Sequence, residues 1–307
     1  MAKMPLTASQ GRTAKGSRRY GQLAPAVLFL LPALVGFLVF FAWPAVRGLY
    51  LSFTDYNLLS SPEFIGIKNY QDIVSDTVFW RSMAVTLQYV AINIVFQTVA
   101  ALFLAVMLHK FTQSMLIRGI VMLPYLIANV VVALVWYWLA DYNLGLINSS
   151  LDAIGLDRIG FFGDDQWAMI TIAMVNVWRH LGYTSLLIFA GLQAIPEDVY
   201  EAAAVDGAGA WRAFRSITLP LLRPVLAFVL VITVVGSFQI FDTIAVTTQG
   251  GPVDATNAIT YYIYSRAFTR FDFGYASALS VILMLILAAI ALIQMRVLRA
   301  GQSDLER

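Results

Sequence analysis

Glu201-Ala202-Ala203-Ala204-Val205-Asp206-Gly207, followed after nine residues by Ile217-Thr218-Leu219-Pro220, is a polar, helix-forming segment set between two long apolar stretches. It reads as a structured loop joining two membrane spans. Pro196 suits a first helical position, where its missing amide proton breaks no bond, and Glu197 and Asp198 fall at the positive end of that helix's dipole. The alanines extend the helix at little side-chain entropy cost and keep it narrow enough to enter a partner's groove. Glu201 adds one carboxylate for a charge-assisted hydrogen bond. Gly207 permits a left-handed turn, after which Trp211, Phe214 and Ile217 are expected to anchor a second short helix on the membrane-embedded core until Leu219-Pro220 ends it. The plainer alternative is a loop of about 30 residues that folds back only onto its own helices.

The flanking stretches explain why such a loop stands out. The chain has 307 residues, 60% hydrophobic and only 12% charged, with a mean hydropathy of +0.74, so it has too little polar surface to cover a soluble globule of its size. A span needs about 20 apolar residues, and six candidates centre on 23–43, 85–108, 119–140, 167–191, 222–243 and 275–295. The first follows Lys3, Arg12, Lys15, Arg18 and Arg19 as a signal peptide would, but its length and its Phe41-Ala42-Trp43-Pro44 end favour a retained anchor. Thirteen Lys and Arg fall in the N-terminal tail, the second-to-third loop, the Glu201 loop and the C-terminal tail, against six in the other loops, with Arg179 inside a span. The positive-inside rule therefore expects both termini and the Glu201 loop in the cytoplasm.

A net charge of +2 spread over loops makes nucleic acid an improbable partner. The absence of Cys and the presence of only two His speak against disulfides, thiol chemistry and a transition-metal site. No G-x-x-x-x-G-K-[ST] phosphate loop occurs, and Gly250-Gly251-Pro252 reads as an external turn. On the external side, 53–81 has room for a short amphipathic element lying on the membrane. The 143–166 loop carries Asp152, Asp157, Asp164 and Asp165, which either meet a soluble partner or are simply solvated.

Three spans carry polar faces. Asn176, Arg179, His180 and Tyr183 share one face of the fourth, Tyr125, Asn129 and Trp136 one face of the third, and Thr233 and Ser237 one face of the fifth. An arginine at mid-membrane depth costs at least about 2.5 kcal/mol on the lenient insertion scales, so Arg179 must face protein or water. Amide, hydroxyl, guanidinium and aromatic groups converging on one cavity suit a neutral polyol or sugar. The competing role for each is interhelical glue. Asp242 lies about half a turn from Thr233 and Ser237 unless the helix breaks, and an Arg179–Asp242 ion pair gating the external mouth is an open expectation.

Written as E-A-A-x3-G-x9-I-x-L-P, the opening segment resembles the cytoplasmic loop shared by the membrane subunits of binding-protein-dependent ABC importers. Leu123-Pro124-Tyr125, Asn176-x-Trp178, Gln193-Ala194-Ile195-Pro196, 238–242, Gly250-Gly251-Pro252 and Gly274-Tyr275-Ala276-Ser277 resemble, in this order, the maltose-type larger membrane subunit of carbohydrate importers. The segments 52–57 and 64–70 resemble that half of the transporter more than its companion.

The resemblance implies an all-α membrane protein with six transmembrane helices, a type I importer permease fold and a cytoplasmic coupling helix. Its divisions are a tail at 1–22, the first helix with its external loop at 23–80, a five-helix transmembrane domain at 81–296 containing a coupling loop at 195–221, and a tail at 297–307. It implies a bacterial plasma (inner) membrane location, a second six-helix permease subunit, two copies of an ABC ATPase that bind ATP and Mg, and an extracytoplasmic solute-binding protein. Glu201, Ala202, Ala203 and Gly207 match the coupling positions. Tyr125, Asn176, Arg179, His180, Tyr183, Thr233, Ser237 and Asp242 match pocket-lining positions. Several identities differ from the maltose subunit, where a Leu and a Gly stand at Arg179 and His180, a Ser at Thr233, an Asn at Ser237 and a Val at Asp242, so maltose specificity does not carry over. The implied solute is an oligosaccharide, disaccharide or glycerophosphodiester. A secondary transporter is disfavoured because Asp242 is the one carboxylate in the spans, and a membrane enzyme because no acid, base and nucleophile converge.

Overall fold

The computed structural model describes residues 28–112 and 114–299, which fall into two units divided between Tyr50 and Leu51. The first unit, among the described residues, is the helix α1, Leu28–Leu51, up to Tyr50, and the most apolar stretch of α1 is wholly unburied. It runs past the expected end at Trp43 because a π-turn at Leu38–Ala42 lets the Trp43 amide reach the Leu38 carbonyl. Pro44 then lies in the first turn of the segment that follows, where its missing donor is harmless. The expected span start at 23 and both tails, apart from 297–299, lie outside the described residues.

The second unit departs from an all-α fold by one small strand pair, β1 (Thr54–Asp55) against β2 (Glu63–Phe64), antiparallel. Helix α2, Lys68–Ser75, follows. The Asn69 amide donates to the carbonyls of Ser52 and Thr54, so this element is fastened to the strand pair. Then come α3 (Thr77–Phe111), α4 (Met115–Leu126), α5 (Asn129–Leu139), α6 (Leu146–Ala153) and α7 (Ala168–Gln193). After these come α8 (Glu197–Val205), α9 (Ala210–Ala213), a π-turn at Phe214–Thr218 and α10 (Leu219–Leu221). The chain ends in α11 (Arg223–Phe238), α12 (Asp242–Val246), α13 (Ile259–Tyr264), a π-turn at Ser265–Thr269 and α14 (Phe273–Arg299).

Among the described residues four helices are long and apolar enough to cross a membrane, namely α1, α3, the α11–α12 stretch and α14, with a fifth if α4 and α5 form one span. The expected third span is not a continuous helix. It breaks at Ile127, in extended conformation, and Ala128, and turns by 89° between α4 and α5. Pro124 in the last turn of α4 has no amide to donate, which weakens the ladder just before the break. Helix α7 has 26 residues, enough to span, but its polar residues lower its hydropathy.

Two apolar layers sandwich a polar one. On α3, Phe79 to Val90 belong to one buried cluster and Ala101 to Leu108 to another, with Asn93 and Gln97 between them. On α7, Met169 to Ala173 join the first cluster and Ile188 to Leu192 the second, leaving Asn176 and Thr184 between. The run reverses on α11, where Leu222 and Val229 join the second cluster and Val234 and Phe238 the first, with Thr233 and Ser237 buried beside them. The sequence therefore alternates apolar, polar and apolar along three neighbouring helices at matching heights.

One contact sets the α4–α7 distance. A Cβ placed on Gly182 would lie 1.9 Å from the Val121 carbonyl oxygen, so only glycine lets the two backbones meet there. At the other end of the bundle Asp76 caps α3 by accepting from the Val78 amide. Its carboxylate also accepts from the hydroxyls of Tyr262 and Tyr275 and pairs with Arg266 at 3.4 Å, while Arg266 reaches Asp272 at 3.5 Å.

Gly182→Ala should destabilise the detergent-solubilised protein by about 1–3 kcal/mol, read as a lowered Tm, because neither backbone can yield without repacking. The Asp76 cluster adds a pH prediction. Burial alone raises the Asp76 pKa, but the hydrogen bonds from Tyr262, Tyr275 and the backbone outweigh it and hold it below its ordinary 3.8. Its contribution is therefore present above that value and lost as pH falls through the folded one. In Asp76→Asn, which keeps a capping oxygen, Tm should fall less steeply with acidification than in wild type; parallel curves would contradict this.

Candidate functional site

The polar layer opens into a cavity of about 280 Å³. Its wall includes Tyr125, Asn129, Asn176, Arg179, His180, Tyr183, Thr233, Ser237 and Asp242, so all nine residues singled out as candidate solute contacts face one space. Asp242 arrives there because α11 ends at Phe238 and the chain restarts at Asp242, a break that turns its carboxylate toward the Thr233 and Ser237 face. Trp136 is not in the wall; it packs edge-on against Trp178 at 5.5 Å.

Arg179 is held otherwise than by an ion pair. Its guanidinium donates to the carbonyls of Tyr125 (3.3 Å) and Ile127 (3.1 Å), which the broken end of α4 leaves without helical partners. The helix dipole also places partial negative charge at that end. Asp242 instead accepts from the Asn129 amide at 3.0 Å, and no Arg179–Asp242 ion pair occurs among the described residues. The guanidinium has several donors, and a broken helix end presents carbonyls in one direction, so it is engaged there without a carboxylate.

Arg179 also contacts His180 Nε2 at 3.1 Å, and Nδ1 of the same ring lies 2.9 Å from the Asn176 carbonyl. A guanidinium can only donate and a carbonyl can only accept, so His180 carries its proton on Nδ1 and is neutral in this arrangement. Tyr125 and Tyr183 stack at 4.5 Å with an interplanar angle of 11°, and His180 meets Tyr125 edge-on at 5.7 Å. The result is a flat aromatic wall beside a fixed cation.

Much of the remaining polarity ties helix to helix. Asn93 donates to Ser237 at 2.8 Å and to Gln97 at 3.1 Å, and Gln97 donates to Thr184 at 2.8 Å, linking α3, α7 and α11. Asn176 donates to Thr243 at 3.2 Å. Asn93, however, has its Oδ1 buried with no partner, while the residue lines the cavity. Asn93, Gln97 and Tyr89 had not been singled out, although their spacing of four in an otherwise apolar span is a readable polar stripe.

The Glu201 segment forms α8, with Pro196 as its cap in extended conformation and not as its first helical residue. Glu201, Ala202 and Gly207 are exposed, Ala203 is buried, and Gly207 takes the left-handed φ of 74°. Leu219-Pro220 does not end the second helix. The π-turn at Phe214–Thr218 leads into α10 and then α11 with little interruption, Pro220 again falling in a first turn. Trp211 is 73% exposed, stacked on Phe214 at 5.7 Å, and so is not anchored in the core as expected. Tyr200 of α8 and Thr218 bond through their hydroxyls at 3.0 Å, closing the elbow.

Comparison with known proteins follows the same lines. The family described as "Binding-protein-dependent transport system inner membrane component" matches residues 97–303. The chain is 31% identical over 281 residues to the trehalose/maltose transport system permease protein MalF of Thermococcus litoralis, covering 91% of this chain and 95% of that protein. It is 36% identical over 272 residues to the sn-glycerol-3-phosphate transport system permease protein UgpA of Yersinia pestis, covering 88% and 92%. A solved structure of a bacterial ABC transporter involved in the import of the acidic polysaccharide alginate aligns with a TM-score of 0.81 at 25% identity, over 92% of this chain and 99% of that one. The two named relatives are permeases, transport components rather than enzymes.

Arg179→Met, which takes the donor away from the partly exposed Tyr125 and Ile127 carbonyls, should lower Tm measurably, whereas Asp242→Asn, which can still accept from Asn129, should change Tm little. Equal losses in thermal melts would instead indicate a direct coupling of the two charges.

Proposed function

This chain belongs to the family of binding-protein-dependent transport system inner membrane components, and we propose that it forms half of the translocation pathway of an ATP-driven importer for a sugar or sugar-like solute. It is a permease subunit of the sugar-importing type, a transport component rather than an enzyme. The solute class is an oligosaccharide or disaccharide, with an anionic glycerophosphodiester as the alternative. The observation that carries this reading is the cavity at mid-bundle, walled by amides, hydroxyls and a stacked tyrosine pair, whose two charged groups are already engaged. A neutral polyol satisfies such a wall, since each hydroxyl both donates and accepts and the C–H face of a pyranose lies flat on tyrosine. Asn93 also lines the cavity, and its Oδ1 is buried without a partner among the described residues.

In this reading α7 and the α4–α5 pair each cross the bilayer, giving six spans with both termini cytoplasmic. Glu201, Ala202, Ala203 and Gly207 form a coupling elbow that docks on an ABC ATPase. One elbow serves one ATPase copy, so a second permease subunit serves the other, and an extracytoplasmic binding protein delivers the solute. ATP and Mg belong to the ATPase.

The solute is tested by reconstituting the complete complex and measuring ATPase stimulation by its binding protein loaded in turn with disaccharides, oligosaccharides and glycerophosphodiesters. One class should stimulate, and none doing so would overturn the reading. Gly207→Pro, which removes the left-handed φ, should abolish uptake while ATP hydrolysis and membrane insertion persist; unimpaired uptake would refute the elbow's role.

A further inference from the structure

The geometry points to a binding site for one anionic phospholipid in a groove between the end of α3 and the coupling elbow. This groove has a volume of about 730 Å³ and is separate from the solute cavity. One wall is the α3 stripe Val99, Leu102, Phe103 and Val106, at helical spacings of three, four and seven; the other is Ala210, Trp211, Ala213 and Phe214. His109 and Lys110 line the end of the groove at the last turn of α3, and no carboxylate lines it among the described residues.

Length, charge and exposure together select the occupant. From Val99 to Lys110 is eleven helical residues, about 16 Å at 1.5 Å each, which matches one leaflet of a hydrocarbon core about 30 Å thick. An acyl chain lying along the stripe therefore brings its headgroup level with Lys110. The cation there, unopposed in the groove wall, favours an anionic headgroup over a zwitterionic one. Trp211, 73% exposed and stacked on Phe214, sits at the same rim, where amphipathic rings settle at the boundary of hydrocarbon and headgroup. A soluble protein partner would meet no carboxylate-pairing array here, only an apolar trough ending in a cation. The site requires that α3 cross the membrane and does not depend on which solute is carried.

The test is native mass spectrometry of the full purified chain titrated with dioleoyl phosphatidylglycerol or dioleoyl phosphatidylcholine. One equivalent of the anionic lipid should be retained several-fold more strongly, and Lys110→Gln should reduce that preference about fivefold, as one surface cation contributes about 1 kcal/mol. Ala210→Trp, at an exposed position where the added ring fills the groove, should displace both lipids while the melting profile stays unchanged. Equal retention of the two lipids, or retention indifferent to both substitutions, would overturn the site. If Ala210→Trp leaves lipid retention intact but prevents assembly with the partner subunits, the groove is a protein interface and the proposal fails. None of these readouts involves transport, so failure here leaves the solute reading standing, and the reverse also holds.

Discussion

The guanidinium of Arg179 seated on the open end of α4 is the contact on which the cavity depends. Carbonyls released by a helix break in a bilayer have no water to turn to, and each left unpaired costs heavily. A cation inside a bundle has the same difficulty from the other side. Each removes the other's penalty. The pairing leaves the chain free to turn by 89° at Ile127 and Ala128, and that turn sets Asn129 where it can hold Asp242. Gly182 makes the arrangement possible by letting α7 approach the α4 backbone.

The same logic organises the polar layer. Asn93, Gln97, Thr184 and Ser237 cross-link three helices at one height, with apolar clusters above and below. Such cross-links are worth only modest energies in membrane proteins, so their main effect is to fix register and keep the cavity wall polar. For Ser237 the structure shows the helix-to-helix role, through its bond from Asn93. Asn93 spends its amide protons on Ser237 and Gln97, and its Oδ1 is buried without a partner.

What was legible in the sequence was whatever a single helix records. Helical spacing put Asn176, Arg179, His180 and Tyr183 on one face, and the matching polar faces of other spans predicted a shared space. The Glu201 segment announced a helix, a left-handed glycine and a second helix, and those elements are present. What was not legible depended on pairs of elements. The opposite charges of Arg179 and Asp242 suggested an ion pair, because a sequence shows charges but hides a broken helix end that is equally attractive to a cation. Pro44, Pro124 and Pro220 look alike in the sequence, yet two are absorbed by π-turns and first-turn positions while the third precedes a sharp bend. Asn93 and Gln97 were overlooked because neutral amides hardly interrupt a hydrophobic count.

The knot at Asp76 ties the start of α3, the α13 region and the start of α14 into one block through two tyrosines and an arginine. A helical rod yields where its ladder is cut, not where it is clamped. The cuts here, at 127–128 and 239–241, lie next to each other in the cavity wall, joined by the Asn129–Asp242 hydrogen bond. Compliance is thereby concentrated at the cavity wall while the Asp76 end of the bundle stays stiff, as in a hinge set in the wall of a vessel and not at its lip.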